Sequence, residues 1–149
     1  MLMEDAKSFL RQVEKLDVLI TNKLIERSQW REIALGITAN MSVDKVQSSG
    51  TKSKMANAVE RCVAMEAEID DLTGRLIDTK QAVISTIEQL ENPFYYNLLH
   101  LKYIQYKTLW EIAEITGKEY SSVKKAHGRA LKKVQAILDA KEKQWIEDI

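Results

Sequence analysis

The run TLWEIAEITGKEYSSVKKAHGRALKK, residues 108–133, decides the fold. Its opening, Thr108-Leu109-Trp110-Glu111, is a capping-box pattern in which Thr108 caps a new helix and Glu111 reaches back to the Thr108 amide. Leu109, Ile112 and Ala113 give that short helix, about 108–116, a side to bury, and Ala113 is small enough for a close helix crossing. Gly117 ends it, because glycine accepts the left-handed conformation common just past a helix C-terminus. Tyr120-Ser121-Ser122 opens a last helix, about 121–149, with Ser121 the expected N-cap. At about 100° per residue, Val123, Ala126, Ala130, Val134 and Ile137 fall on one side of it. Ser121, Lys124, Lys125, Gly128, Arg129 and Lys132 fall on the other. Two helices joined by a glycine turn, the second with a basic outer face, form a helix-turn-helix.

Such a face suits entry into the major groove. Side chains near the N-terminus of the helix reach base edges, Lys and Arg neutralise phosphate, and a glycine lets the backbone approach. Lys and Arg are also the usual partners of guanine O6 and N7. The residues expected to contact double-stranded DNA are Tyr120, Ser121, Ser122, Lys124, Lys125, Gly128, Arg129 and Lys132. The chain carries 22 basic and 22 acidic residues, so net charge says nothing and its distribution matters. Lys118 to Lys133 holds six basic groups against one acid, the local footprint of a module that touches phosphate. On an isolated helix these residues would read as solvated surface. The capped helix and glycine turn before them favour DNA.

Toward the N-terminus, Asn92-Pro93 marks a domain boundary, since asparagine caps well and proline is tolerated at the first helical position. A helix of about 93–105 follows, so 92–149 reads as a three-helix DNA-binding domain. Residues 1–91 read as a helical hairpin for dimerisation or partner binding. Its first helix, about 4–37, carries Phe9, Val13, Leu16, Ile20, Leu24, Trp30, Ile33 and Ile37, with steps of three and four recurring. Its second, about 54–91, places Met55, Cys62, Ile69, Leu76, Val83 and Leu90 seven apart, a coiled-coil-like seam. Val59, Val63, Ile77, Ile84 and Ile87 broaden that seam, while Thr79 and Thr86 interrupt its companion row. Residues 38–53, with the turn signal Ser48-Ser49-Gly50-Thr51, are expected to form a loop. The fold expected is all-α: a long antiparallel hairpin, then a three-helix helix-turn-helix. Spare apolar surface on the hairpin would serve a homodimer.

Other functions find little support. Cys62 is the only cysteine, which leaves no disulfide or cysteine-based zinc site within the chain; it is read as core. His127, at the edge of the apolar face, and His100 are read as packing or hydrogen-bonding residues rather than metal ligands. Trp30, Trp110 and Trp145 are read as packing anchors, and Tyr120 as either packed or facing DNA. Asp70-Asp71 and Glu66-Glu68 fit a solvated helix face better than an acid–base site. Gly50-Thr51-Lys52-Ser53 lacks the earlier glycine and the preceding strand of a phosphate loop. No enzyme, metal or cofactor is expected. The acidic start, Met1 to Asp5, and the absence of a membrane-length apolar run lead to a cytoplasmic expectation.

Thr108 to Gly117, followed by Val123-Lys124 and Arg129-Ala130-Leu131, resembles sigma-factor region 4, whose pattern runs Leu-x-Glu-Ile-Ala, a glycine, a valine, then Arg-Ala. Lys118 stands where that family usually has an apolar residue, and His127-Gly128 replaces a bulkier pair. A wider likeness involves Phe9 to Leu16, Lys45 to Gly50 with Lys54-Met55-Ala56, and His127 to Lys132. These segments resemble sigma-like phage proteins of Gram-positive bacteria and the ArpU and RinA late-gene activators. The resemblance implies a prophage-encoded activator of late genes that acts with host RNA polymerase. The rival expectation is a protein–protein adaptor, or a DNA-packaging recognition subunit, built on the same helix-turn-helix.

Overall fold

The structure, a computed structural model, describes residues 5–36 and 49–148. These residues form α1 (Ala6–Ala34), α2 (Ser49–Ile87), α3 (Pro93–Leu99), a π-helical turn (His100–Ile104), α4 (Leu109–Thr116) and α5 (Tyr120–Glu147). No strand occurs among the described residues, and the all-α architecture expected from the sequence is the one observed. One proline and five glycines in the whole chain leave few interruptions in long runs of strong helix formers. None of the described helices is long and apolar enough to cross a membrane.

The chain divides into two compact units, Leu16–Arg75 and Met1–Lys15 with Leu76–Ile149. The first is the antiparallel hairpin. Leu16 and Ile20 of α1 and Ala58, Met65, Ile69 and Leu72 of α2 are buried in it. Its register is visible in three cross-helix contacts. Lys23 pairs with Glu68 at 3.0 Å, the Cys62 thiol lies 3.9 Å from the Arg27 carbonyl, and the Arg61 guanidinium sits 5.3 Å from the centre of the Trp30 ring. The ion pair is partly exposed and contributes at most about 1 kcal/mol, so apolar burial holds the hairpin together. Leu24, Ile33, Val59, Val63 and Ile77 are exposed instead of lining the seam. Two helices bury only one stripe each, and these residues lie off it. Cys62 is half-buried rather than core.

Helix α2 starts earlier than expected. Ser49 and Gly50 already lie within it. Ile37 and residues 38–48 of the expected loop lie outside the described residues.

The second unit has two apolar clusters. One gathers Ala6, Leu10 and Val13 of α1, Val83 and Ile87 of α2, Leu99, Tyr103, and Ala130 and Val134 of α5. The other joins Leu98, Leu101, Ile112, Ala113, Val123 and Ala126. The start of α1 and the end of α2 therefore belong with the C-terminal helices, where the sequence suggested a division at Asn92. The reason is the first cluster: Leu10, Val13, Val83 and Ile87 are all fully buried there. Thr86, a break in the seam by sequence, is buried too, and its hydroxyl donates to the Ala82 carbonyl at 2.8 Å. That local bond removes the cost of an unsatisfied buried hydroxyl.

Asn92 caps α3 as expected, its Oδ1 accepting from the Phe94 amide at 2.9 Å, with Pro93 in the first turn. The single helix expected over 93–105 changes to a π-turn at His100. The Gln105 amide bonds back five residues to the His100 carbonyl at 3.0 Å, as π-helical geometry requires. The Lys107 amide then bonds back to Leu101 at 2.9 Å. Leu101 and Tyr103 are both buried by this arrangement, one in each cluster. Tyr106 leaves the turn with φ 61°, a left-handed conformation that costs a non-glycine residue about 1 kcal/mol.

Candidate nucleic-acid interface

Helix α4 is set by the sequence signals read for it. The Glu111 amide donates to Thr108 Oγ1 at 3.1 Å and the Thr108 amide donates to Glu111 Oε1 at 2.9 Å, completing the capping box. Those bonds hold the Glu111 carboxyl below its ordinary pKa, the Thr108 backbone bond having the largest effect. Gly117 sits at φ 69°, and the Lys118 amide bonds to the Ala113 carbonyl at 3.1 Å to close the turn. Lys118, in the place of an apolar residue, lays its ammonium 4.9 Å from the centre of the Phe94 ring. A cation over an aromatic face keeps contact with the core edge while staying solvated.

Helix α5 begins at Tyr120, one residue before the expected start, with Glu119 in the cap position and no side-chain cap. Ser121 is therefore not the N-cap. The Val123 amide bonds to the Glu119 backbone carbonyl at 3.0 Å, so the backbone closes the first turn without the serine. Both Ser121 and Ser122 are exposed in that first turn.

The faces of α5 separate as its period requires. Val123, Ala126, Ala130 and Val134 are buried. Ser121, Ser122, Lys124, Lys125, Gly128, Arg129 and Lys132 are exposed, and Tyr120 is half-buried at the flank. A Cβ placed on Gly128 would meet nothing within 4 Å, so no packing demand inside the protein explains a glycine there. The arrangement offers hydroxyls, a bare stretch of backbone and four cations on one surface. That set can bond phosphate oxygens and base edges.

His127 anchors this helix from beneath. Its Nε2 lies 2.7 Å from the Tyr103 hydroxyl, and the two rings are 5.8 Å apart and nearly parallel. Burial pushes Tyr103 up to about 12 and His127 down to about 4; Lys102 and Lys7 push His127 the same way. Near neutral pH the bond joins two uncharged groups. His100 bonds Gln105 at 2.9 Å through Nδ1. Both histidines thus hydrogen-bond within the fold.

Trp110 departs from its expected role as a packing anchor. It is 65 % exposed and stacks on Tyr120 with centroids 3.8 Å apart and planes 7° from parallel. The signal was available, because Trp110 falls outside the arc occupied by Leu109, Ile112, Ala113 and Thr116 on the α4 wheel. Trp145 is also exposed. It follows Leu131 and Leu138 at seven-residue spacing, yet Leu138 is the last α5 residue packed against the first cluster.

No curated protein and no solved structure matches the chain. A family model does match, over residues 37–135, more than half of the chain and including all of α4 and residues 120–135 of α5. The chain belongs to that family, described as protein of unknown function (DUF1492).

Proposed function

We propose that the protein is a phage- or prophage-encoded, non-enzymatic DNA-binding transcriptional regulator that activates late genes together with bacterial RNA polymerase. The observation that carries this reading is the outer surface of α5. Lys124, Lys125, Arg129 and Lys132 share it with Ser121, Ser122 and Gly128, all exposed, directly after a capped helix and a left-handed glycine turn. The sigma region 4 resemblance of residues 108–131 supports the same assignment and supplies the polymerase partner. In this reading the protein works in the host cytoplasm as a homodimer, whose hairpin supplies the dimer contact or the polymerase contact. Dimeric binding calls for two half-sites related by symmetry, about one helical turn or a multiple apart.

The test is a mobility shift with fragments of the DNA flanking the gene, across a salt series, beside a K124A/K125A/R129A variant. The expected result is salt-sensitive binding to one fragment, with the logarithmic salt slope reduced by about 2 to 3 in the variant. Equal binding to every fragment, or an unchanged variant, overturns the regulator reading. One observation favours an adaptor instead: Val18 and Ile25 of α1 and Val59 and Val63 of α2 are exposed on the hairpin, apolar side chains available to a protein partner. An adaptor would retain its protein partner after the α5 cations were removed and would show no DNA shift.

A further inference from the structure

The candidate DNA surface continues past α5 onto the start of α4. Tyr120 lies one turn before Lys124, at the same flank of α5, by the helical period. Its ring is covered on one side by Trp110, at 3.8 Å and 7° from parallel. Trp110 is 65 % exposed. Stacking on Tyr120 thus fixes the indole without hiding it. A large aromatic held flat at the surface has lost its side-chain entropy in the free protein, so a ligand meeting it bears little further ordering cost.

The stack also borders a concavity of about 380 Å³, whose lining includes Glu14, Lys102, Tyr106, Lys107 and Thr108. Lys102 and Lys107 give it two cations against the single carboxylate of Glu14. Both lysines are half-buried, and Lys102 is partly steered by the Tyr103 ring, 5.6 Å from its ammonium. Tyr106, at φ 61°, shapes the wall between them and the Thr108 cap. An apolar floor would suit a hydrophobic peptide. Two ammonium groups beside a flat aromatic suit a nucleotide: phosphate for the cations and the sugar or base face for the ring.

We infer that Trp110 and Tyr120, with Lys102 and Lys107, form a second DNA subsite that grips the sugar–phosphate backbone of a strand flanking the groove read by α5. This rests on the DNA-binding reading above and extends it to residues outside α5. The subsite contacts backbone, so it acts on DNA of any sequence. It sets affinity and register, while base preference stays with α5.

The experiment uses the full chain and sonicated duplex DNA of mixed sequence at low salt, where backbone contacts dominate. A W30F/W145F variant leaves Trp110 as the sole tryptophan and leaves the stack intact. Its fluorescence is expected to be quenched on titration with this DNA, and to recover as salt dissociates the complex. W110A, checked for helicity by circular dichroism, is expected to bind several-fold more weakly, through loss of the indole's contact with a sugar of the backbone. A K102A/K107A variant is expected to lower the logarithmic salt slope by about 2. If the parent protein binds while Trp110 fluorescence stays constant and W110A binds normally, the subsite is refuted and the α5 reading stands. If the parent protein does not bind duplex DNA at any salt, both fall together.

Discussion

Acidification should destabilise the C-terminal unit through one ring, His127. The ring is half-buried, 2.7 Å from the Tyr103 hydroxyl, with its pKa pushed from 6.5 down to about 4 by burial and by Lys102 and Lys7. The unfolded chain therefore takes up this proton first as pH falls. Stability from keeping the ring neutral is fully present above about pH 6.5 and is lost progressively toward pH 4. The gap corresponds to roughly 3 kcal/mol before screening, and partial exposure brings it to about 2 kcal/mol. Urea denaturation followed by circular dichroism, at about pH 7 and about pH 4.5, measures it when compared with H127Q. Glutamine can still bond Tyr103 but cannot titrate, and carboxylates common to both proteins cancel in the comparison. The wild type should lose about 2 kcal/mol more than H127Q over that interval. Equal losses would refute the reasoning, because they would mean that the folded protein protonates His127 as readily as the unfolded chain does.

Three substitutions test the helix-turn-helix itself. Gly117→Ala should cost about 1 kcal/mol in urea denaturation; the position has φ 69° and open space around a Cβ, so the loss comes from backbone conformation alone. Thr108→Ala removes the acceptor for the Glu111 amide and should cost about 1 kcal/mol, seen as a lower denaturation midpoint. Gly128→Ala should do the opposite, raising stability by about 0.5–1 kcal/mol because the helix interior gains a better helix former and no clash. If DNA approaches the backbone at this position, the same variant should bind DNA more weakly in a mobility shift despite its greater stability.

Local signals were the most legible. Asn92, Thr108, Glu111 and Gly117 each act through their own side chain or φ on amides within a few residues, and each does in the structure what its type and spacing imply. The two faces of α5 were legible for a similar reason, since one helical period sorts buried from exposed. What the chain does across long separations was harder to read. Leu10 rather than Phe9 is fully buried, because the start of α1 meets α5 as well as α2, and the Ala6 amide bonds Gln135 at 2.8 Å. A heptad count along α2 cannot show that its last two turns join a different cluster from its middle. The π-turn and the left-handed Tyr106 had no sequence signal either. They accompany the burial of Leu101 in one core and Tyr103 in the other, a demand visible only once both cores exist. At Trp110 residue type and position conflict: a tryptophan is usually buried, but the place of Trp110 on the α4 wheel is outside the buried arc.

In the proposed reading, helix α5 carries two duties that its geometry keeps apart. Its inner side contributes Val123 and Ala126 to one cluster and Ala130 and Val134 to the other, so its direction is fixed by both cores at once. Its outer side contributes nothing to either core. Replacing Lys124, Lys125 or Arg129 should therefore leave folding nearly unchanged, as surface substitutions usually do, whereas Ala130, fully buried, could not be enlarged without displacing a cluster. His127 stands at the border of the two sides. It is joined to Tyr103 beneath and is flanked by Ala126, buried, and Gly128, exposed. A change there would act on DNA contact only by rotating α5. H127Q, which keeps a partner for Tyr103, should bind DNA as the wild type does near neutral pH, while a residue unable to bond Tyr103 should weaken stability and DNA binding together. A variant that lost DNA affinity at unchanged stability would place His127 on the contact surface instead of beneath it.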